Sequence, residues 1–169
     1  MSIEIRNAAL GDAEAVGAIH DEAVLAGNAT LRTKPRPIAE VEAQLERTRP
    51  FLVALIDGDI VGWAGAAAYE EGNPYYDGVG EVAVYVAGAA RGHGVGRALL
   101  DALAEAALSG GVFKLVAKVF TTNTNSIRLF ERTGYSQVGI HVRHGRLHDE
   151  WKDVVVLEKL LGDARPDAG

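Results

Sequence analysis

Residues 81–100 of this chain read EVAVYVAGAARGHGVGRALL, a strand pattern that passes through a glycine-rich loop into a helix. Val82, Val84 and Val86 alternate with small or aromatic residues, as is typical of a strand. Three glycines and two arginines then fall within residues 91–97. Glycine allows backbone N–H groups to converge on a ligand, and the start of a helix adds partial positive charge. The junction is therefore suited to hold phosphate.

The spacing of the glycines distinguishes this loop from two other phosphate-binding loops. A P-loop ends in Gly-Lys-Ser/Thr, which is missing here, and a dinucleotide fingerprint spaces its glycines as G-x-G-x-x-G. The pattern that fits is R/Q-x-x-G-x-G/A, matched by RGHGVG at residues 91–96. A second pattern, N-x-x-S-x-x-L-Y/F-E-x-x-G-F/Y, is matched by NTNSIRLFERTGY at residues 123–135 after a later strand.

Together the two motifs resemble the signatures of the GNAT family of acetyl-CoA-dependent N-acetyltransferases. The resemblance implies that the loop binds the pyrophosphate of acetyl-CoA, while the backbone of residues 84–86 and the second motif bind its pantetheine arm. The implied cofactor-binding residues are Val84, Tyr85, Val86, Arg91, Gly92, His93, Gly94, Val95, Gly96, Arg97, Asn123 and Ser126. The alternative is a plain strand–helix turn, with Asn123 acting only as a helix cap and Ser126 lying in the first turn.

The order of strand and helix patterns predicts the fold. It reads strand, two helices, a three-strand meander, helix, strand, helix and two strands. This order matches the GNAT fold, which implies an α/β protein with a mixed, mostly antiparallel central sheet and helices on both faces. We expect a single domain over residues 1–162 and a flexible tail at 163–169.

Local signals mark several of the predicted boundaries. Asp12 is predicted to cap the first helix, and Gly27 to end it. Asp57-Gly58 predicts a hairpin turn. His20 and His93 are interpreted as surface or loop residues.

Charge and cysteine content exclude several classes of protein. The 169-residue chain has a net charge of −6, which disfavours a broad nucleic-acid surface. It contains no cysteine, which excludes disulfides, thiolate catalysis and cysteine-ligated metals. No basic, apolar signal segment and no apolar run long enough to span a membrane is found, so a cytoplasmic location without membrane contact is expected.

Three further stretches resemble the phosphinothricin/methionine sulfoximine acetyltransferase branch of the family. They are LRT at residues 31–33, YD at 76–77 and HDEWKD at 148–153. The resemblance implies a small α-amino acid or an analogue as acceptor, and a homodimer. The implied substrate-binding residues are Arg32, Asn73, Tyr76, Val82, Ala83 and His148. The chain departs from the branch at Leu31, where an aromatic residue is usual, and near Asn73, where an arginine is usual.

Acetyl transfer to an amine requires a base, because only the neutral amine attacks the thioester. Glu81 opens the cofactor strand, and the resemblance assigns a glutamate here as the catalytic base. The alternative is a strand-end glutamate in solvent. Phe130 stands where many GNAT enzymes carry a tyrosine that protonates the leaving thiolate, and phenylalanine has no proton to donate.

A metal site is not predicted. His141, His144 and His148 are close in sequence, but neither a carboxylate array nor a helical HxxxH pattern accompanies them. Three other functions stay open: acetylation of a polyamine, acetylation of a protein N-terminus, and a non-catalytic sensor that only binds acetyl-CoA.

Overall fold

A computed structural model describes residues 1–163 of the chain. Its strands are β1 (Ile3–Asn7), β2 (Phe51–Ile56), β3 (Asp59–Ala68), β4 (Val79–Val86), β5 (Lys114–Phe120), β6 (Ser136–Leu147) and β7 (Glu150–Leu160). Its α-helices are α1 (Ala13–Ala26), α2 (Ile38–Arg47), α3 (Val95–Ser109) and α4 (Thr124–Arg132). The flexible tail predicted at 163–169 lies, from residue 164 onward, outside the described residues.

The seven strands form one mixed sheet in the order β1-β2-β3-β4-β5-β7-β6. Every neighbouring pair is antiparallel except β4 and β5, which run parallel. The parallel pair is joined through α3, a crossover of the kind that parallel strands need. The predicted order of elements and the predicted mostly antiparallel sheet are confirmed.

Helices cover both faces of the sheet. Trp63, with 1% of its surface exposed, packs on one face with residues of α1 and α2, and Ala83 and Tyr85 of β4 join this cluster. Leu99 and other buried residues of α3 pack on the opposite face with Val82. Because side chains alternate along a strand, Glu81 belongs to the face that carries Ala83 and α1.

Most of the predicted boundaries are confirmed by local geometry. Gly27 ends α1 in the left-handed region with φ of 69°. Asp57 and Gly58 form the β2–β3 turn with φ of 54° and 90°. Asp12 lies at the N-cap position of α1, as predicted, but its carboxylate binds Arg6 at 2.7 Å and accepts from the Ala9 N–H, so it makes no hydrogen bond to α1.

His20 is buried, and its interpretation as a surface or loop residue was therefore wrong. It lies in α1 with 5% of its surface exposed, edge-on to the Tyr85 ring at 5.0 Å between centroids and close to Trp63. Burial, helped by the nearby Arg36 charge, lowers the pKa of His20 to about 4. The imidazole is consequently neutral near pH 7.

The C-terminal hairpin is longer than predicted. The polar, glycine-containing stretch HGRLHD at residues 144–149 predicts the connection between the last two strands, but β6 continues to Leu147, and the turn consists of His148 and Asp149 with φ of 47° and 64°. No helix in the described part of the chain is long and apolar enough to cross a bilayer. The cytoplasmic location stays a prediction.

Candidate active site

The sheet opens between β4 and β5. The two strands pair only from Val79–Val82 to Lys114–Ala117, and beyond these residues they separate. The edge of β4 from Ala83 to Val86 that faces β5 has no strand partner among the described residues. A cavity of about 200 Å³ occupies the opening. It is lined by Ala29, Glu81, Val82, Ala83, Val84, Tyr85, Lys118, Val119, Phe120, Asn123, Ser126 and Phe130.

A carboxylate and an ammonium face each other across this opening. Lys118 Nζ donates to Glu81 Oε2 at 3.1 Å, which makes an ion pair between β5 and β4. About a third of each side chain is exposed, 35% for Lys118 and 37% for Glu81. The same Nζ lies 5.2 Å from the ring centroid of Tyr69, within cation–π range. Glu81 is thus partly buried, held by one partner and open to the cavity.

The glycine loop lies between the open end of β4 and the start of α3. Gly92 and Gly94 have φ of 80° and 84°, a conformation that other residues adopt at a cost. A side chain built on either glycine would meet nothing within 4 Å, so space for a ligand lies directly over the backbone. Arg91 Nε donates to the Val86 carbonyl at 3.2 Å, which ties the loop to the end of the strand.

The later residues of the loop face the protein. Val95 is 1% exposed and belongs to the core, while a Cβ on Gly96 would lie 2.8 Å from Leu129 Cδ2 of α4. Gly96 therefore allows α3 and α4 to approach each other. The Arg97 side chain is exposed and lies 3.5 Å from Asp101, one turn along α3. His93 is exposed.

The second motif places α4 against the cavity. Asn123 Oδ1 accepts from the Ser126 N–H at 3.3 Å, so the asparagine caps the helix, and both residues also line the cavity. The alternative of a capping role and the implied role beside a ligand are compatible in this geometry. Phe130 lines the cavity and packs edge-on against Tyr135. Burial raises the pKa of Tyr135.

The structure does not bring the six predicted substrate-binding residues together in one place. Val82 and Ala83 line the cavity, whereas Asn73 and Tyr76 line a separate cavity of about 450 Å³ beyond the other end of the β3–β4 pair. Tyr76 contacts Tyr69, with ring centroids 5.3 Å apart, and the Tyr69 ring in turn lies near Lys118. Arg32 is exposed and donates to Glu40 at 2.9 Å. His148 lies in the exposed β6–β7 turn and lines neither cavity.

Sequence reasoning missed three residues, of which Lys118 lines the opening. Lys118 of β5 forms an ion pair with Glu81 of β4. The alternation of residues along β5 predicts only a lysine exposed to solvent. Arg36 is half-buried near His20, with Nε and Nη2 lacking a hydrogen-bond partner within residues 1–163. Leu31 packs directly against the backbone of Gly145 in β6. A Cβ atom at residue 145 would lie 2.6 Å from Leu31 Cδ1. Leu31 thus links the α1–α2 connection to β6.

In the part of the chain that the structure describes, no group of three or more His, Cys, Asp or Glu residues is arranged to hold a metal ion. His141 and His144 instead stack their rings, with centroids 4.3 Å apart.

Comparison with known proteins adds to this geometry. The sequence profile described as Acetyltransferase (GNAT) family matches residues 17–135. The chain is 32% identical to an L-methionine sulfoximine/L-methionine sulfone acetyltransferase of Pseudomonas paraeruginosa, over 98% of each chain. A phosphinothricin acetyltransferase of Sinorhizobium meliloti, solved in complex with acetyl-CoA, superposes with a TM-score of 0.90 at 28% identity, over 100% of this chain and 95% of that one.

A further similar structure has a different description. It is described as a ribosomal-protein-alanine N-acetyltransferase from Brucella melitensis, and it superposes with a TM-score of 0.89. Its sequence is 31% identical over 94% of this chain and 99% of that one.

Proposed function

This chain belongs to the GNAT family of acetyltransferases, as its two sequence motifs predicted, and from that premise we propose its donor, acceptor and catalytic base. The enzyme transfers the acetyl group of acetyl-CoA to the primary amine of a small amino acid or analogue. Methionine sulfoximine, methionine sulfone and phosphinothricin are the acceptors suggested by the relatives.

The observation that carries the proposal is the position of Glu81. Its carboxylate faces the cavity at the point where β4 and β5 separate. There it accepts the proton that the acceptor ammonium must lose, directly or through a water molecule. The neutral nitrogen attacks the thioester carbon, the C–N bond forms and the C–S bond breaks, and the nitrogen gives its second proton to solvent as the amide forms. Phe130 offers no proton, so the thiolate leaves without one from this position and is protonated by solvent.

The donor binds along the opening and the glycine loop. The pyrophosphate lies over residues 91–94, where backbone N–H groups and the start of α3 favour negative charge. The pantetheine amides bond to the unpaired edge of β4 at residues 83–86, beside Asn123 and Ser126. Backbone N–H groups of the same edge stabilise the oxyanion that develops on the thioester.

The positively charged side chains in and near the cavity favour an amino acid over a polyamine as acceptor. Lys118 lines the cavity beside Glu81, and Arg36 and Arg32 lie close enough to lower the pKa of His20. A polycationic acceptor would meet like charges here, whereas an acceptor with a carboxylate or phosphinate would be attracted.

The similarity to a ribosomal-protein-alanine N-acetyltransferase makes a protein N-terminus the second candidate. The contact between Leu31 and Gly145 argues against it, because it joins the α1–α2 connection to β6. A peptide substrate needs an open groove through which the rest of its chain can leave. A small acceptor needs no such exit.

A free-thiol release assay tests the proposal. Acetyl-CoA is supplied with methionine sulfoximine, methionine sulfone, phosphinothricin, a polyamine or a short peptide that begins with alanine. We expect the amino acid analogues to be acetylated with the highest kcat/KM. Preference for the peptide would favour the second candidate, and thiol release unaffected by every acceptor would leave only acetyl-CoA binding.

We also propose that the protein is a homodimer. Edge strand β6 exposes three large apolar side chains, Val138 at 59%, Ile140 at 56% and Val142 at 70%. Because β6 ends the sheet, its backbone edge is also available to a second copy.

A further inference from the structure

We propose that Lys118 binds the α-carboxylate of the acceptor, and that Glu81 and Lys118 together recognise the amine and carboxylate carried by one carbon. This inference rests on the proposed function, since it names a further residue of the same acceptor site. The juxtaposition that carries it is the ion pair across the open end of β4 and β5, with Lys118 Nζ 3.1 Å from Glu81 Oε2.

The first step concerns the shape of the acceptor. The amine and carboxylate of an α-amino acid are separated by a single carbon. They can therefore contact two oppositely charged side chains at once when those side chains are neighbours in the site. Glu81 and Lys118 meet this requirement, and both line the same cavity. The acceptor amine lies at the carboxylate of Glu81 and the acceptor carboxylate at the ammonium of Lys118.

The second step concerns the capacity of Lys118 for another partner. An ammonium has three N–H donors, and one of them is directed to Glu81. The face of Tyr69 lies 5.2 Å from Nζ and holds the charge without accepting a conventional hydrogen bond. Two donors are left for an acceptor carboxylate. About a third of the lysine side chain is exposed, so the ammonium is accessible from the cavity.

The third step concerns catalysis. A cation next to the acceptor nitrogen disfavours the charged form of the amine, which helps the proton to leave towards Glu81. Lys118 thereby supports both binding and deprotonation, while the thioester is held by the backbone edge of β4. A carboxylate-dependent site also explains how the enzyme can select amino acids without an arginine at Asn73.

A pair of acceptors differing only in the carboxylate tests the inference. Thiol release is measured with methionine sulfone and with methionine sulfone α-amide, for the parent, Lys118→Met and Lys118→Arg. We expect the parent to prefer the free acid in kcat/KM by about ten- to a hundred-fold, the contribution of a charge-assisted hydrogen bond. Lys118→Met should lose this preference, mainly through KM of the acid, and Lys118→Arg should retain part of it.

Lys114→Met is the matched control. Lys114 lies four residues earlier on β5, on the same face, and pairs with Glu158 rather than with Glu81. The Lys114→Met substitution removes one lysine from the same strand and should leave the acid-to-amide ratio of kcat/KM unchanged. If Lys118→Met lowers kcat equally for acid and amide and keeps the ratio, Lys118 only orients Glu81 and the inference is overturned. A parent that does not distinguish the two acceptors overturns it as well.

Binding gives a readout that is independent of turnover. Calorimetric titration of the two acceptors into the CoA complex should show the acid binding more tightly to the parent than the amide, and the difference should vanish in Lys118→Met. An enzyme that shows this difference but releases no thiol would disprove the proposed acetyl transfer and support the carboxylate site. Thiol release with no difference in binding would do the reverse.

Discussion

Glu81 is the side chain on which the proposed chemistry depends most directly. Glu81→Gln keeps the size of the residue and removes its ability to accept a proton, because an amide oxygen is a much weaker base. We expect turnover near pH 7 to fall by about a hundred- to ten-thousand-fold, the usual contribution of a positioned acid–base group. Affinity for acetyl-CoA should change little. The measurement is steady-state kinetics with the best acceptor, together with calorimetric binding of acetyl-CoA.

Glu105→Gln is the control for this substitution, since Glu105 is exposed on α3. It should behave as the parent does. The loss in Glu81→Gln should also shrink at high pH, where neutral amine is abundant in solution. Near-parental turnover of Glu81→Gln at pH 7 would show that the proton leaves through bulk water.

His20 makes the stability of the fold depend on pH. Its pKa is lowered to about 4 in the folded protein from an ordinary value of 6.5, so the unfolded chain binds more protons between these two values. Stability is therefore lost as the pH falls from 6.5 towards 4, by at most about 3 kcal/mol from this residue. The charged neighbours are Asp21, Arg36 and Arg32.

Replacement of the imidazole isolates this contribution. In His20→Phe an aromatic ring still packs against Tyr85 and Trp63, but it has no group that titrates. Urea unfolding of both proteins at several pH values between 4 and 7 is the measurement. We expect the free energy of unfolding of the parent to fall more steeply with acidification than that of the variant. Parallel curves would contradict a buried neutral histidine.

Individual residues were predictable where a local backbone signal or a motif identifies them. Gly27, Gly94 and Asn123 fall at helix ends, where capping preferences act within a few residues. His20 and Lys118 were misread or missed because their surroundings come from distant parts of the chain: β3 and β4 bury His20, and β4 supplies the partner of Lys118. A single sequence carries no local record of such pairings.

The glycine loop before α3 is the feature whose function depends most on backbone conformation. Gly94→Glu places negative charge over the proposed pyrophosphate position and strains a residue with φ of 84°. Gly94→Gln introduces the same strain and nearly the same bulk without charge. We expect both to weaken CoA binding, the glutamate variant by a further tenfold or more, about 1.4 kcal/mol. Isothermal titration with CoA is the measurement, and parental affinity in Gly94→Glu would refute the loop assignment.

Helices and strands were predictable in order because hydrophobic periodicity and turn residues repeat over many positions. The β6–β7 connection was misjudged because HGR lacks the alternation expected of a strand. A register shift between His141 and Gly145 lets β6 continue through this irregular stretch. Likewise, the separation of β4 from β5 was not predictable from periodicity, since nothing in either strand pattern marks where pairing stops.

The proposed dimer forms through the exposed apolar side chains of edge strand β6. We expect sedimentation velocity to show a dimer for the parent, and Ile140→Asp on β6 to shift it towards monomer by placing charge in an apolar contact. Leu25→Asp is the control, because Leu25 is 83% exposed on α1, away from the edge strand. Monomer at every concentration of the parent would remove the proposal.

The short ladder between β4 and β5 has a mechanical consequence. A ladder of four residue pairs joins the first four strands to the last three in the described sheet. The two parts of the sheet are joined weakly along this boundary. A pantetheine arm bound between the separated ends of β4 and β5 would add the hydrogen bonds that a paired strand would otherwise make. Binding of the ligand would then make the β4–β5 boundary more rigid, and the ligand-free protein would open more often at this boundary. Amide hydrogens at residues 79–82 and 114–117 should accordingly exchange more slowly with solvent deuterium when acetyl-CoA is bound.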